Sequence, residues 1–422
     1  MRILSTRTLA AVGAAIAVAS CAPQRPPIAL HARVEIPEQQ PVDVRIALQP
    51  EHARDADRYL EAAAATLKTC VALAGPLDVQ EIALTDRAWN ERDAVDRGTR
   101  IDRVPWWTFV ASMAPELAVA RAVSRRCWDA AIDARNQATW FVDGLVEFTA
   151  RRAVVPTFER GSNPPGFAIL EQRYFGGFVP RFMWIRLLAE TDGEPASAFR
   201  AHRGVNVQGQ TISALDERAL AGKTVVGLGT LERWVGRPVF DAILLQFVRD
   251  FKGKAPQLAD FERVATDVSG QRLSWFFDAV FRSSGVFDYG VEAFSSESAA
   301  DGGVTTTVTV RRYGDARFTG ASGDRVGGFE NGRGITLRVV FGDGQQRTDW
   351  WDGRDERRTF RYHSQTRAVS AVVDPDRVLL LDLDRTNNSR TVAPRRAAAA
   401  TRWGSIYLLW LEHLLLSYAS LA

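Results

Sequence analysis

The chain has 422 residues, is 46% hydrophobic, and sets 53 Lys and Arg against 50 Asp and Glu, for a formal net charge of +3. That length supports two or three domains with real cores. Charges of both signs are spread along it, so no basic tract argues for a nucleic-acid partner, and the five histidines (His31, His52, His202, His363 and His413) are too scattered for a histidine-rich metal site.

The first segment, "MRILSTRTLAAVGAAIAVASCAPQ", has Arg2 and Arg7 in a positive region and an apolar run from Leu9 to Ala19. This is the pattern of a secretory signal, placed at 1–21. "VASC" is similar to a bacterial lipobox, in which Cys21 would be acylated; the rival readings are an uncleaved anchor and plain cleavage near Ser20. The main readings place the body outside the cytoplasm, membrane-anchored in the bacterial cell envelope on its periplasmic or extracellular face. A Pro-rich leader follows over 22–41.

"VDVRIALQP" alternates as a strand, and "PEHARDADRYLEAAAATLKTCVALAG" is a helix led by Pro50 and stopped at Gly75-Pro76. "DVQEIALTD" reads as another strand, and the polar run after it as a surface loop. Helices follow from about Ala114: one ending near Ile132, one opening on "WFVDG", then mostly helical sequence to residue 285. "GKTVVGLGTLERWVGRPVFDAILLQFVRDFKG" divides around Gly236-Arg237-Pro238. "QLADFERVATDVSGQRLSWFFDAVF" breaks at Ser269-Gly270, with Asp260 and Asp267 as candidate cap or first-turn charges. Beyond Gly285 the period changes to two, with Gly-Asp-Gly and Asp-Pro-Asp turns, giving an antiparallel β-sandwich-like module over 286–392.

The last segment, 401–422, is apolar for about 20 residues, a bilayer-spanning length. Glu412 and His413 in its middle, and Arg395, Arg396 and Arg402 ahead of it, favour an interfacial helix over a spanning one. An ordinary docked helix is the third reading. Cys70 and Cys127 both fall in apolar helical runs, so a disulfide and a pair of buried thiols are both open.

Within "PELAVARAVSRRCWDAAIDARNQATWFVDGLVEF", Arg121 and Arg125 are four apart and share a helix face with Leu117, Trp128 and Ile132. Asp143 opens the next helix, with Glu147 one turn on. In order along residues 42 to 390, "LQPEHARDADRYLEAAAATL", this pair of helices, "GKTVVGLGTLERWVGRPVF", "DFERVATDVSGQRLSWFFDAVFRSSGVFDYGV" and "VLLLDLDRTNNS" resemble the gluzincin aminopeptidases of the aminopeptidase-N type. The resemblance implies an α+β fold. A thermolysin-like catalytic-type domain with a helical lobe (42–285, helical from about 114) would precede the β module and the hydrophobic C-terminal helix.

Such enzymes carry H-E-x-x-H on one helix and a third ligand in a following W-x-x-E-G. Aligned on "PEL" and Trp128, the histidine positions fall on Arg121 and Arg125, the glutamate on Ala122 and the third ligand on Asp143. Ala221, two before Lys223, stands where the family has its transition-state tyrosine. Arginine cannot ligate a metal, Ala122 cannot act as a base, and no other H-E-x-x-H exists in the chain. The resemblance therefore implies a degenerate member that lost zinc hydrolysis, with no metal and no cofactor expected. Arg121 and Arg125 are expected to pair with Asp143 and to bridge the helices in place of the metal. Arg121, Arg125 and Asp143 also form the candidate ligand site, for a peptide terminus or a protein partner.

Three functions compete: a binding or scaffolding pseudopeptidase of the envelope, an enzyme that is metal-independent or has residual activity, and a purely structural membrane-associated protein. Other features carry less. "NPPGF" is a loop, "RVGGFENGRG" is no phosphate loop because it sits in the β module, and "WWDGRD" is a turn with packed tryptophans or a sugar or peptide platform. Glu147 is read as solvent-facing or salt-bridged, and Cys127 as core.

Overall fold

The computed structural model describes residues 26–37, 39–87, 100–101, 114–132, 139–159, 214–320, 334–393, 397 and 400. Cys21 with the signal segment, "NPPGF", all but the last residue of "RVGGFENGRG", and the apolar segment 401–422 lie outside them. Among the described residues no helix is long and apolar enough to cross a membrane.

The chain opens on a three-stranded sheet of β1 (Ile28–Val34), β2 (Val42–Leu48) and β3 (Glu81–Thr85). β1 runs antiparallel to β2, and β2 parallel to β3. A 3-10 turn (Pro50–Asp55) and helix α1 (Ala56–Ala74) make the crossover between the parallel strands. In β2 the buried Val42, Val44, Ile46 and Leu48 alternate with more exposed residues, so one face takes the helix. Tyr59, Ala63, Leu67 and Cys70 of α1 fill that face.

Helices α2 (Ala114–Ala131) and α3 (Thr139–Glu159) come next, then α4 (Ala214–Val235), α5 (Arg237–Phe251), α6 (Leu258–Ser269) and α7 (Ser274–Val280). The punctuation expected from sequence is in place. Gly236 takes a left-handed φ of 87° between α4 and α5, with Arg237-Pro238 opening the second helix. Gln257 and Asp260 form a reciprocal capping box on α6, which Gly270 ends in the left-handed region. Asp267 lies in the last turn of α6 and not at its start, within ion-pair distance of Arg263 one turn back.

Strands β4 (Tyr289–Ser298), β5 (Val304–Arg312), β6 (Ile335–Phe341), β7 (Gln346–Trp351), β8 (Arg357–Ser364), β9 (Ala368–Val373) and β10 (Ser389–Thr391) form two antiparallel sheets, ordered β10-β9-β6-β7 and β4-β5-β8. In β5 Val304, Thr306, Val308 and Val310 point inward and Thr305, Thr307 and Thr309 outward, the period-two pattern of a half-buried strand. One buried cluster runs from Trp128 and Phe141 through Phe247, Phe261 and Phe277 into Tyr289, Val308 and Leu337. The β sheets thus share a core with the helices. Trp351 is buried with its ring edge-on to Tyr289, and Asp352 accepts the Arg354 N–H in the following turn. "WWDGRD" is therefore packed as a turn, and Trp351 offers no exposed platform.

Candidate functional site

Helix α2 sits between two cores. Val119, Ala122, Val123 and Cys127 face the first sheet and α1, while Trp128 and Ile132 join the larger cluster. Along its contact with α3, Ala120 packs on Ala150 and Val154. The Trp128 indole N–H donates to Thr149 Oγ1 at 2.9 Å. The remaining face carries Arg121 and Arg125, held one turn apart by the helix period.

α3 answers with Asp143, Glu147 and Arg151 at the same period. Arg121 grips Glu147 with two N–H groups, through Nε to Oε2 and through Nη2 to Oε1 at 2.9 Å. Arg151 donates to the same carboxylate from one turn ahead. Arg125 pairs with Asp143. Both arginines bridge the helices, but the partner of Arg121 is Glu147, not Asp143. Positions i and i+4 on α3 are both within reach, and the axial register of the two helices decides between them. Bidentate guanidinium–carboxylate geometry is the strong form of such a bond.

The electrostatics of the two pairs differ. Burial alone would push the Glu147 carboxyl up; the charges of Arg121 and Arg151 and their hydrogen bonds outweigh it and hold the group at about 2. Asp143 is more open than Glu147, with 31% of its side chain exposed against 16%, while Arg121 and Arg125 are alike at 26% and 24%. The site is thus a closed ionic knot at Glu147 and an accessible pair at Asp143.

The seat of α3 depends on Gly144, beside Asp143. A methyl group there would lie 2.2 Å from Thr224 Cγ2 on α4, so the two helices approach at a point only glycine permits. Next along α4 from Ala221, Lys223 is only 1% exposed and donates from Nζ to the Ser283 carbonyl at 2.7 Å. Burial lowers its ammonium to about 8. Ala221 lies within α4, and Ala122 is buried in the first core. Neither aligned position offers a group for proton transfer.

Several polar contacts escaped the sequence reading. Arg58 on α1 clamps Glu116 of "PEL" with two hydrogen bonds, 2.6 and 2.8 Å, and reaches Asp55 with a third. His52 Nδ1 and Asp86 Oδ2 are 2.6 Å apart in full burial, tying the 3-10 turn to the end of β3. At the far end of the core Asp382, 2% exposed, accepts from Asn388 Nδ2 at Oδ2, while its Oδ1 has no hydrogen-bond partner among the described residues. Burial, with the negative charge of Asp288 added, raises this carboxyl to about 7. Arg58–Glu116 and His52–Asp86 join elements distant in sequence, so no local spacing announces them.

Among the described residues no group of three or more His, Cys, Asp or Glu side chains is arranged to hold a metal ion. No family model matches the chain, and no curated protein matches it by sequence. Solved structures are similar in shape. Aminopeptidase A of Legionella pneumophila, crystallised with aspartic acid, gives a TM-score of 0.49 at 13% identity, over 84% of this chain and 38% of that one. A zinc metallopeptidase of Deinococcus radiodurans, bound to a Tyr-Ser-Ala substrate, gives 0.37 at 14% identity, over 61% of this chain and 52% of the other. The chain spans about two fifths of the Legionella enzyme's length and about half of the other's.

Proposed function

We propose that the chain is a peptidase-like protein of the bacterial envelope that binds or scaffolds and does not hydrolyse peptides. The observation that supports this most is the joining of α2 and α3 by Arg121–Glu147 and Arg125–Asp143. In the family the sequence resembles, the corresponding helices meet through a zinc ion held by imidazole and carboxylate ligands. A guanidinium has donors only and cannot take the ligand's part. It supplies positive charge at the same place, and the helix pair keeps its bridge without a metal. The open end of the seam, Arg125 with Asp143, suits a peptide terminus: a carboxylate on the guanidinium or an ammonium on the carboxylate. The envelope location, through a lipid on Cys21 and the segment 401–422, belongs to the same proposal.

The test uses the full chain purified without chelator. Bound zinc is measured by elemental analysis, and hydrolysis by turnover of a panel of aminoacyl reporters. The reading expects neither; stoichiometric zinc, or turnover with or without zinc, overturns it. A peptide library then reports binding, which Arg125→Gln is expected to weaken without changing the fold. Loss of membrane fractionation in Cys21→Ala would support the lipid anchor, and unchanged fractionation would remove it from the reading.

A further inference from the structure

Cys70 of α1 and Cys127 of α2 are each 1% exposed and belong to one apolar cluster. Both are free thiols, on two helices that pack against each other. Two cysteines far apart in sequence thus lie in the core of one helix–helix contact. Their neighbours, Ala63, Leu67, Val119 and Val123, supply no base and no further ligand. Burial, reinforced by the influence of the Cys70 side chain, pushes the Cys127 thiol well up, so it is neither a nucleophile nor a metal-binding thiolate at neutral pH.

We propose that Cys70 and Cys127 form a disulfide that staples α1 to α2 when the folding chain meets a thiol–disulfide oxidant. One cysteine, as thiolate, attacks the oxidant's disulfide, giving a mixed disulfide and releasing one oxidant thiolate. The second cysteine, as thiolate, attacks the protein sulfur of that mixed disulfide and expels the other oxidant thiol. Two S–H bonds are lost, one S–S bond forms, two protons leave, and the two electrons reduce the oxidant to its dithiol. The depth of the pair places the reaction during folding or in a transient opening of α2. The consequence reaches the ionic seam, because Cys127 lies two residues after Arg125. A covalent tie there fixes the rotation and axial position of the helix that presents Arg121 and Arg125 to α3.

A Cys21→Ser chain, free of the third thiol, tests this. It is refolded and equilibrated in oxidising or reducing glutathione buffer, quenched with acid, unfolded, alkylated and weighed. The expected result is no adduct after the oxidising buffer, two after the reducing one, and a cross-linked peptide pair containing Cys70 and Cys127. The oxidised form is expected to melt about 2–5 °C above the reduced form. Cys70→Ser and Cys127→Ser should each abolish that redox dependence. Thiols that serve only as packing would give two adducts in both buffers and a melting temperature indifferent to reductant, and that result overturns the proposal.

Discussion

Glu147 and Asp382 are both buried carboxyl groups in one molecule, and their protons behave in opposite ways. At Glu147 burial is opposed by two guanidiniums, and the carboxylate stays ionised down to about 2. At Asp382 burial is reinforced by the charge of Asp288 and opposed by Arg385, and the group holds its proton to about 7. Desolvation acts in the same direction at both sites; the difference is whether cations contact the carboxyl directly. The first arrangement is a cross-link between two helices that holds over the whole physiological pH range. The second is a junction that becomes charged as the solution passes neutrality.

The largest effect that would break this contrast is Glu147→Gln. It leaves Arg121 and Arg151 without their shared counter-charge, and breaking such a pair costs about 3–5 kcal/mol at pH 7. The sign follows from a folded-state value below the ordinary one. Stability from Glu147 is complete above about pH 4.5 and is lost as pH falls through about 2. Denaturant titrations of wild type and variant should therefore converge between those values. A constant gap down to pH 2 would mean the ionic knot carries no linkage.

Asp382→Asn should move stability the other way. A folded-state value raised to about 7 means that wild type loses stability as pH rises from about 4 through 7. The variant, which has no carboxyl to ionise, escapes that loss. At pH 8 it is expected to be more stable by up to about 4 kcal/mol, and equal to wild type near pH 4. A destabilised variant at pH 8 would show that Asp382 is ionised and paired in the folded chain.

How much of this was legible in sequence depends on the range of the interaction. The helices, most of the strands, the break at Gly236 and the first-turn carboxylate Asp260 follow from periods and turn residues within a few positions, whereas β1 (Ile28–Val34) falls in the stretch read as a Pro-rich leader. The charged face of α2 was legible for the same reason, since Arg121 and Arg125 stand one turn apart among apolar neighbours. Which α3 carboxylate each arginine takes was not, because Asp143 and Glu147 share a face and only the packing register selects between them. Arg58–Glu116 and the burial of Asp382 depend wholly on tertiary placement. Gly144 lies between these cases. Its position in "WFVDG" was visible, but its reason, the approach of Thr224, comes from a helix some eighty residues on.

That approach gives a third, smaller test, which asks whether the ionic seam depends on the seat of α3. Gly144→Ala forces a methyl group against Thr224, and overpacking of this kind costs about 1–3 kcal/mol. Adding Thr224→Ala removes the atoms it meets and should recover most of the loss. If the double variant is no better than the single one, the cost lies in the α3 backbone and not in the contact.

The smallest expected effect is at Arg125, and it separates the two halves of the seam. Arg125 and Asp143 form one pair, partly open to solvent, where Glu147 is shared by two arginines. Exposed pairs gain little, because water already solvates both partners, and the median worth is about 0–1 kcal/mol. Arg125→Ala should therefore cost about 1 kcal/mol, with most of that loss screened by salt. A thermal melt in low and high salt measures it against Glu147→Gln, whose penalty should persist in both. A loss at Arg125 as large and as salt-insensitive as that at Glu147 would make the seam one closed structural unit. It would also remove the accessible pair on which the proposed binding end depends.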